Sequence, residues 1–365
     1  MSRSLDDLFI RLNKLYFSGK QTLVLDLLHD EVKKVANGYF KPNQSYEDQD
    51  QFFDEFNEMW IDLLRRQRYE EAREIWKFVL DLASEWENNN KPNEIHKGTP
   101  YYCLGVTAIL NNKLEDGFLF MHQALEEDKR THHSKTPKTP AYFFVTLDYE
   151  QEQLSQYFIP RVKEIAQCLF ERMEKYRTTR KGALDKNTFK TKFLECIDLS
   201  EEVFLFVYFL FKLKKLLDPI ETPSALRQNV FSSLLHAKSL FDICLVVEKV
   251  VEYKNPNSKK KGVKLKFTDE LKFLSKETSL SLGKKKIRKL NDDFGDNFSG
   301  TLSNIIESKY PLLSKRIEED LAIAYGIRNF AAHKLEDEPV LYEKVEELSQ
   351  RLLNTLFFSI EKLYC

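Results

Sequence analysis

Arg328, Asn329 and His333 fall within one short segment, AYGIRNFAAHKLEDEP, that combines a fixed cation, an amide and a titratable base. Histidine changes charge near neutrality and suits general acid–base work. Arginine stays charged and presents a planar fork of donors matched to phosphate oxygens. Asn329, directly after the arginine, can position a group by hydrogen bonding. Five residues along an α-helix turn through about 500°, or about 140° beyond a full turn, so an unbroken helix would point Arg328 and His333 apart. Bringing them together within one chain therefore requires the helix to end or bend between them. Gly326, Ala331 and Ala332 make room for that, and for close approach of a second chain. The blander alternative pairs Arg328 with a carboxylate such as Glu336 and leaves His333 capping a helix end.

The elements that must position these residues read as helices. With 365 residues the chain has room for two domains, at about 100–200 residues each. Hydrophobic residues make up 42%, enough for a packed core, and charged residues at 31% nearly cancel to a net charge of −1. Any surface for a polyanion must therefore be local. Gly and Pro, 11 each, are too few for a β-sandwich or a Gly-rich nucleotide fold, which leaves an all-α chain. Amphipathic helices are predicted from Leu5, over Leu23 to Val35, from Phe56 to Trp86 and through the hairpin beginning TPYYCLGV. Others follow from Tyr149, from Phe193 to Leu217 and from Ser224 to Tyr253. The polar segment Asn37 to Asp50 reads as a loop. Asp218-Pro219 and Thr222-Pro223 break the pattern, which places a domain boundary there: 1–220 and 221–365. Asp337, Glu338 and Pro339 signal the start of the last helix.

The five cysteines are scattered and never in CxxC spacing, so neither a disulfide framework nor a zinc site is implied. His132 and His133 are neighbours on a polar loop and read as solvated; His96 also sits in a loop, and His122 and His236 lie in helical patterns. No metal and no cofactor are expected. The N-terminus lacks an apolar signal core, and the greasiest run, Val203 to Phe211, falls short of the ~20 residues of a membrane span. A soluble, cytoplasmic protein is expected.

Arg328-Asn329-Phe330-Ala331-Ala332-His333 resembles the Arg-x4-His signature of the HEPN family of ribonucleases, which often has a polar residue after the Arg. The setting is similar too, with an apolar helix before the motif, a short charged loop after it and a long amphipathic closing helix. The resemblance runs from Ser224 to the C-terminus. It implies a helical bundle that dimerises so that two motifs face each other, and RNA cleavage to 2′,3′-cyclic phosphate and 5′-hydroxyl ends. His333 would then be the general acid/base, Arg328 the clamp on phosphate and 2′-OH, and Asn329 a positioner. Because RNA carries its own nucleophile, the 2′-OH, this chemistry needs no metal. Lys284, Lys285, Lys286, Arg288 and Lys289, with the upstream run Lys254, Lys259, Lys260, Lys261, Lys264 and Lys266, could track an RNA backbone. The other reading of Lys254 to Lys266 is a solvated loop. Asp242 and Glu248 lie on the first helix of this part, from which an acid could reach the site.

The N-terminal hairpins resemble tetratricopeptide repeats. Leu104-Gly105, Gly117 and Ala124-Leu125 fit that pattern, as does Tyr69-Glu70-Glu71-Ala72, but Trp60 stands where Gly is expected. Such hairpins imply a protein or ligand regulator. The leading expectation is thus a toxin or anti-phage ribonuclease controlled through its N-terminal region; the alternative is a non-catalytic interaction protein. A toxin partnered by a nucleotidyltransferase antitoxin fits less well, since Leu335 stands where that branch has Tyr.

Overall fold

A computed structural model describes residues 5–217, 230–258, 266–333 and 338–365. The regular elements among the described residues are helical, with no strand, as composition and periodicity predict. No helix among them is long and apolar enough to cross a membrane. None of the five cysteines forms a disulfide. By its contacts the chain forms two compact units.

The first unit comprises Met1–Phe144 and Asp148–Val162. Its helices are α1 (Leu5–Phe17), α2 (Gln21–Leu27), α3 (Lys33–Tyr39), α4 (Tyr46–Asp54), α5 (Asn57–Arg65), α6 (Tyr69–Asn89), α7 (Gly98–Leu110) and α8 (Leu114–Thr131), followed by the start of α9 (Pro140–Val145). Of the segment Asn37 to Asp50, only residues 40–45 form the loop that its polarity predicts. Asn37 and Gly38 close α3, and α4 begins at Tyr46, where the Ser45 side chain accepts the N–H of Asp48. Phe52 and Phe53 on α4 are fully buried, and burying each aromatic side chain is worth roughly 1.5–3 kcal/mol. The polar composition hid that inward face.

The two predicted hairpins form, as α5/α6 and α7/α8. Small residues are required where α7 meets α8: a Cβ on Gly105 would lie 2.8 Å from Met121 Cγ, and one on Gly117 would lie 3.0 Å from the backbone nitrogen of Ile109. Trp60 is buried and donates its indole N–H to Thr107 Oγ1 at 2.9 Å, tying α5 to α7.

The second unit comprises Val145–Leu147 and Lys163–Cys365. It holds most of α10 (Ile159–Arg180), then α11 (Lys186–Phe189), α12 (Ser200–Leu217), α13 (Val230–Lys254) and α14 (Phe267–Glu277). After these come α15 (Lys284–Asp296), α16 (Phe298–Ile306), α17 (Arg316–His333), α18 (Pro339–Glu343) and α19 (Val345–Leu363). The packing division therefore falls at Val162/Lys163 and not at the prolines near 220, whose residues 218–229 lie outside the described ones. The reason lies in long-range contacts. Tyr176 donates to Glu361 at 3.0 Å, Phe189 packs edge-on against Phe357, and Arg180 binds Asp320 through two nitrogens at 2.7 and 3.0 Å. Chain breakers mark where helices stop, whereas units are set by what buries against what.

Helix α13 packs against α12, α17 and α19, and α17 packs in turn on α19. Asp320, fully buried on α17, sets their register: besides Arg180 it accepts from Arg351 at 2.8 Å and from Asn354 at 3.1 Å, both on α19. The predicted closing helix starts at Pro339 as expected, pauses at Lys344 and continues to Leu363.

Candidate nucleic-acid interface

Arg328 and Asn329 lie on the last turns of α17. The helix does not end or bend between Arg328 and His333, as convergence within one chain required; it runs through both, with His333 its last residue. Packing explains the continuity. Ile327 is fully buried, and Phe330 stacks on Phe298 of α16 with ring centroids 4.1 Å apart. Gly326 serves neither a bend nor a second chain here: a Cβ there would overlap the ring of Phe294, so glycine lets α15 approach α17. On this backbone, positions 328 and 333 are about 140° apart around the axis. The side chain of His333 lies outside the described residues, as do Leu335 and Glu336.

Arg328 does pair with a carboxylate, though from α13. Its Nε donates to one oxygen of Glu248 at 3.0 Å and its Nη2 to the other at 3.2 Å. This bidentate geometry aims the guanidinium, and 25% of the arginine side chain stays exposed. Glu248 thus reaches the motif, as its helix allowed. Asp242 does not: its ion pair is with Lys212 at 3.5 Å, and burial pushes its carboxyl above the ordinary value.

A cavity of about 740 Å³ opens beside Arg328. Among the described residues it is lined by Lys266, Lys272, Lys284, Arg288, Asn291, Tyr325, Arg328 and Asn329, with Phe267, Thr268 and Ile287, none of them a carboxylate. Helix periodicity selects these residues. Ile287, Leu290 and Phe294 turn inward from α15, leaving Lys284, Arg288 and Asn291, at intervals of four and three, on the face toward the cavity. The basic run therefore divides. Lys284 and Arg288 line the cavity; Lys285 is exposed away from it, Lys286 donates to Ser281 at 2.8 Å, and Lys289 pairs with Asp293 at 2.7 Å. Of the upstream lysines, Lys266 reaches the cavity and Lys254 sits over the Tyr364 ring at 4.3 Å. Lys259, Lys260, Lys261 and Lys264 lie outside the described residues.

Three participants were not singled out by motif. Asn291 and Tyr325 were findable, lying three residues from Arg288 and Arg328 on the same helix faces. Tyr325 donates to Asn291 Oδ1 at 3.0 Å, and burial raises its hydroxyl's pKa while the Asn329 side chain opposes that. Lys272 carries no local signal, because α14 meets α17 only in the folded chain. Behind the cavity, Glu270 is buried on α14 and accepts from Asn255 at 3.1 Å. Burial, with the nearby charges of Glu252 and Glu248, pushes it up to about 7.

A second cleft of the same unit, about 550 Å³, is lined by Arg172, Arg180, Arg316 and Arg351, but also by Glu343, Glu346 and Glu347. Arg180 and Arg351 are committed to Asp320. It suits an anion less than the cavity beside Arg328. Compared with known proteins, the chain matches no family model, no curated protein and no solved structure.

Proposed function

We propose that the cavity beside Arg328 binds the backbone of RNA and that the chain is a metal-independent endoribonuclease. The observation that carries this reading is the meeting of Arg328, Asn329, Lys284 and Arg288 from two helices in one cavity, with no carboxylate among its described lining residues. Arginine and lysine neutralise phosphates, while Phe267 and Tyr325, both buried, contribute apolar lining.

In the reaction, the 2′-oxygen attacks the adjacent phosphorus and the P–O5′ bond breaks. A 2′,3′-cyclic phosphate and a 5′-hydroxyl result. The proton leaving the 2′-OH passes to a base and one is delivered to the departing 5′-oxygen; His333 is the residue assigned to this work. Arg328, oriented by Glu248, stabilises charge on the phosphorane oxygens, and Asn329 positions the substrate. An unbroken α17 turns positions 328 and 333 away from each other, so a composite site across a homodimer, arginine from one copy and histidine from the other, satisfies the geometry that one chain does not. A toxin or anti-phage role rests on the resemblance of the Arg328 to His333 segment to HEPN ribonucleases, and control through the N-terminal hairpins on their resemblance to tetratricopeptide repeats.

The bidentate Glu248 pair also favours a second reading, a phosphate-binding scaffold that does not cleave. Incubating purified protein with mixed RNA in the presence of EDTA, with end-group analysis, separates the two. Cyclic phosphate ends that disappear in both Arg328→Ala and His333→Ala support the nuclease; equal cleavage by wild type and both variants overturns it; RNA binding without cleavage supports the scaffold.

A further inference from the structure

The N-terminal unit contains a cavity of about 420 Å³ with the opposite character: Asp50, Asp54, Asp128, Glu152, His96 and His132 line it, with no lysine or arginine among the described lining residues. We infer that His96, Asp128 and His132 form a site for a first-row divalent metal ion, Zn²⁺ foremost.

The three side chains offer one nitrogen or oxygen each, all within 4.8 Å of one another. His96 Nε2 lies 3.5 Å from Asp128 Oδ1. Two ligands on one tetrahedral zinc, each at about 2.0–2.1 Å, stand about 3.3 Å apart. The buried pair is therefore spaced for a shared ion before any adjustment. His132, exposed at the end of α8, has room to complete the set.

The Thr131 hydroxyl lies 2.9 Å from the carbonyl of Glu127 and 3.1 Å from His96 Nδ1. With its proton on the carbonyl it accepts from Nδ1–H, the tautomer in which Nε2 presents a lone pair toward a carboxylate oxygen and can bind a metal. Two acceptors facing each other in a buried position repel unless a cation or proton lies between them. Thr139 Oγ1 meanwhile holds the other oxygen of Asp128. Outer partners of this kind, a hydroxyl on the far atom of each of the two buried ligands, orient metal ligands.

Gly98 is an independent sign that the space is kept open. A Cβ there would overlap both Asp128 Oδ1 and His96 Nε2, yet Gly98 has no positive φ to require glycine. Two imidazoles select zinc, cobalt or nickel over magnesium and calcium, and three protein ligands leave a fourth position for water.

The test uses the full chain, stripped with chelator and titrated with Zn²⁺ alone by calorimetry and with Co²⁺ by visible absorption. One equivalent should bind, with the intense d–d bands of a tetrahedral ion. Binding should weaken by more than about tenfold in His132→Ala, whose exposed position does not threaten folding, and in Asp128→Asn. His133→Ala should bind as wild type. Absence of saturable binding by the wild-type chain, or equal binding in His132→Ala, overturns the assignment. Circular dichroism of each variant separates loss of the site from loss of the fold. RNA cleavage is no readout here, so this result stands apart from that of the proposed nuclease.

Discussion

The two units each enclose a polar cavity, and the two are opposite in sign. In the C-terminal unit five cations, four on three helices and Lys266 just before α14, line the space beside Arg328, while in the N-terminal unit four carboxylates and two histidines do so. A chain with a net charge of −1 thus carries two local fields that its composition conceals. A second contrast lies within the C-terminal unit. Arg351 is 5% exposed and Arg328 25%; the first is bound to Glu319, Asp320 and the carbonyl of Ile306, the second to Glu248 at the cavity edge. An arginine wrapped by partners holds helices together. An arginine oriented by one carboxylate and still open on one side is available to a ligand.

The largest effect that would break this comparison is catalytic. Arg328→Ala and His333→Ala should each lower RNA cleavage by about 10²–10⁴-fold, measured as the rate of cyclic phosphate formation, with unfolding midpoints close to wild type. Cleavage that survives either change within a few-fold would remove the replaced residue from the chemistry.

The structural arginine network should respond in the converse way. Asp320→Ala removes a buried carboxylate shared by two guanidinium groups, buried Arg351 and partly buried Arg180, and should cost about 3–5 kcal/mol in denaturant unfolding. Glu248→Ala should cost less, because Arg328 can turn to solvent, yet should weaken RNA binding by disorienting the clamp. Equal destabilisation by the two would erase the distinction.

Glu270 sharpens the comparison through pH. Its folded value, about 7, lies above the ordinary 4.5, so the folded state holds this proton more tightly than the unfolded one. The associated stability is fully present below about pH 4.5 and is lost as pH rises through about 7. Glu270→Gln removes the titration and should gain on wild type, by on the order of 1–3 kcal/mol, between pH 5 and pH 8. A pH-independent difference between the two proteins would contradict the burial argument.

The smallest effect belongs to the cavity lysines. Replacing Lys284 and Arg288 together should reduce the slope of log K against log salt for single-stranded RNA by about 1.4, from two lost phosphate contacts. Replacing Lys285 and Lys289, which face elsewhere, should change it by less. The same slope in both double variants would mean that the basic run acts as a diffuse charge and not through the cavity.

Much of this was legible before folding. Residue types and spacing brought out the helical class, the two N-terminal hairpins and the small residues at 105 and 117, and drew attention to Arg328 and Asn329, because periodicity and side-chain chemistry are local properties. The tertiary structure decided the rest. It continued α17 through His333, since Phe330 and Gly326 are held by Phe298 and Phe294 from elements distant in the chain. It chose Glu248 over Asp242 and Lys284 and Arg288 over their neighbours, because only one face of each helix meets the cavity. It also moved the packing division to Val162 and brought His96 beside Asp128 and His132 (thirty-odd residues away), where the sequence showed separate, ordinary histidines. Contacts between remote segments are set by which surfaces bury together, and no local pattern encodes them.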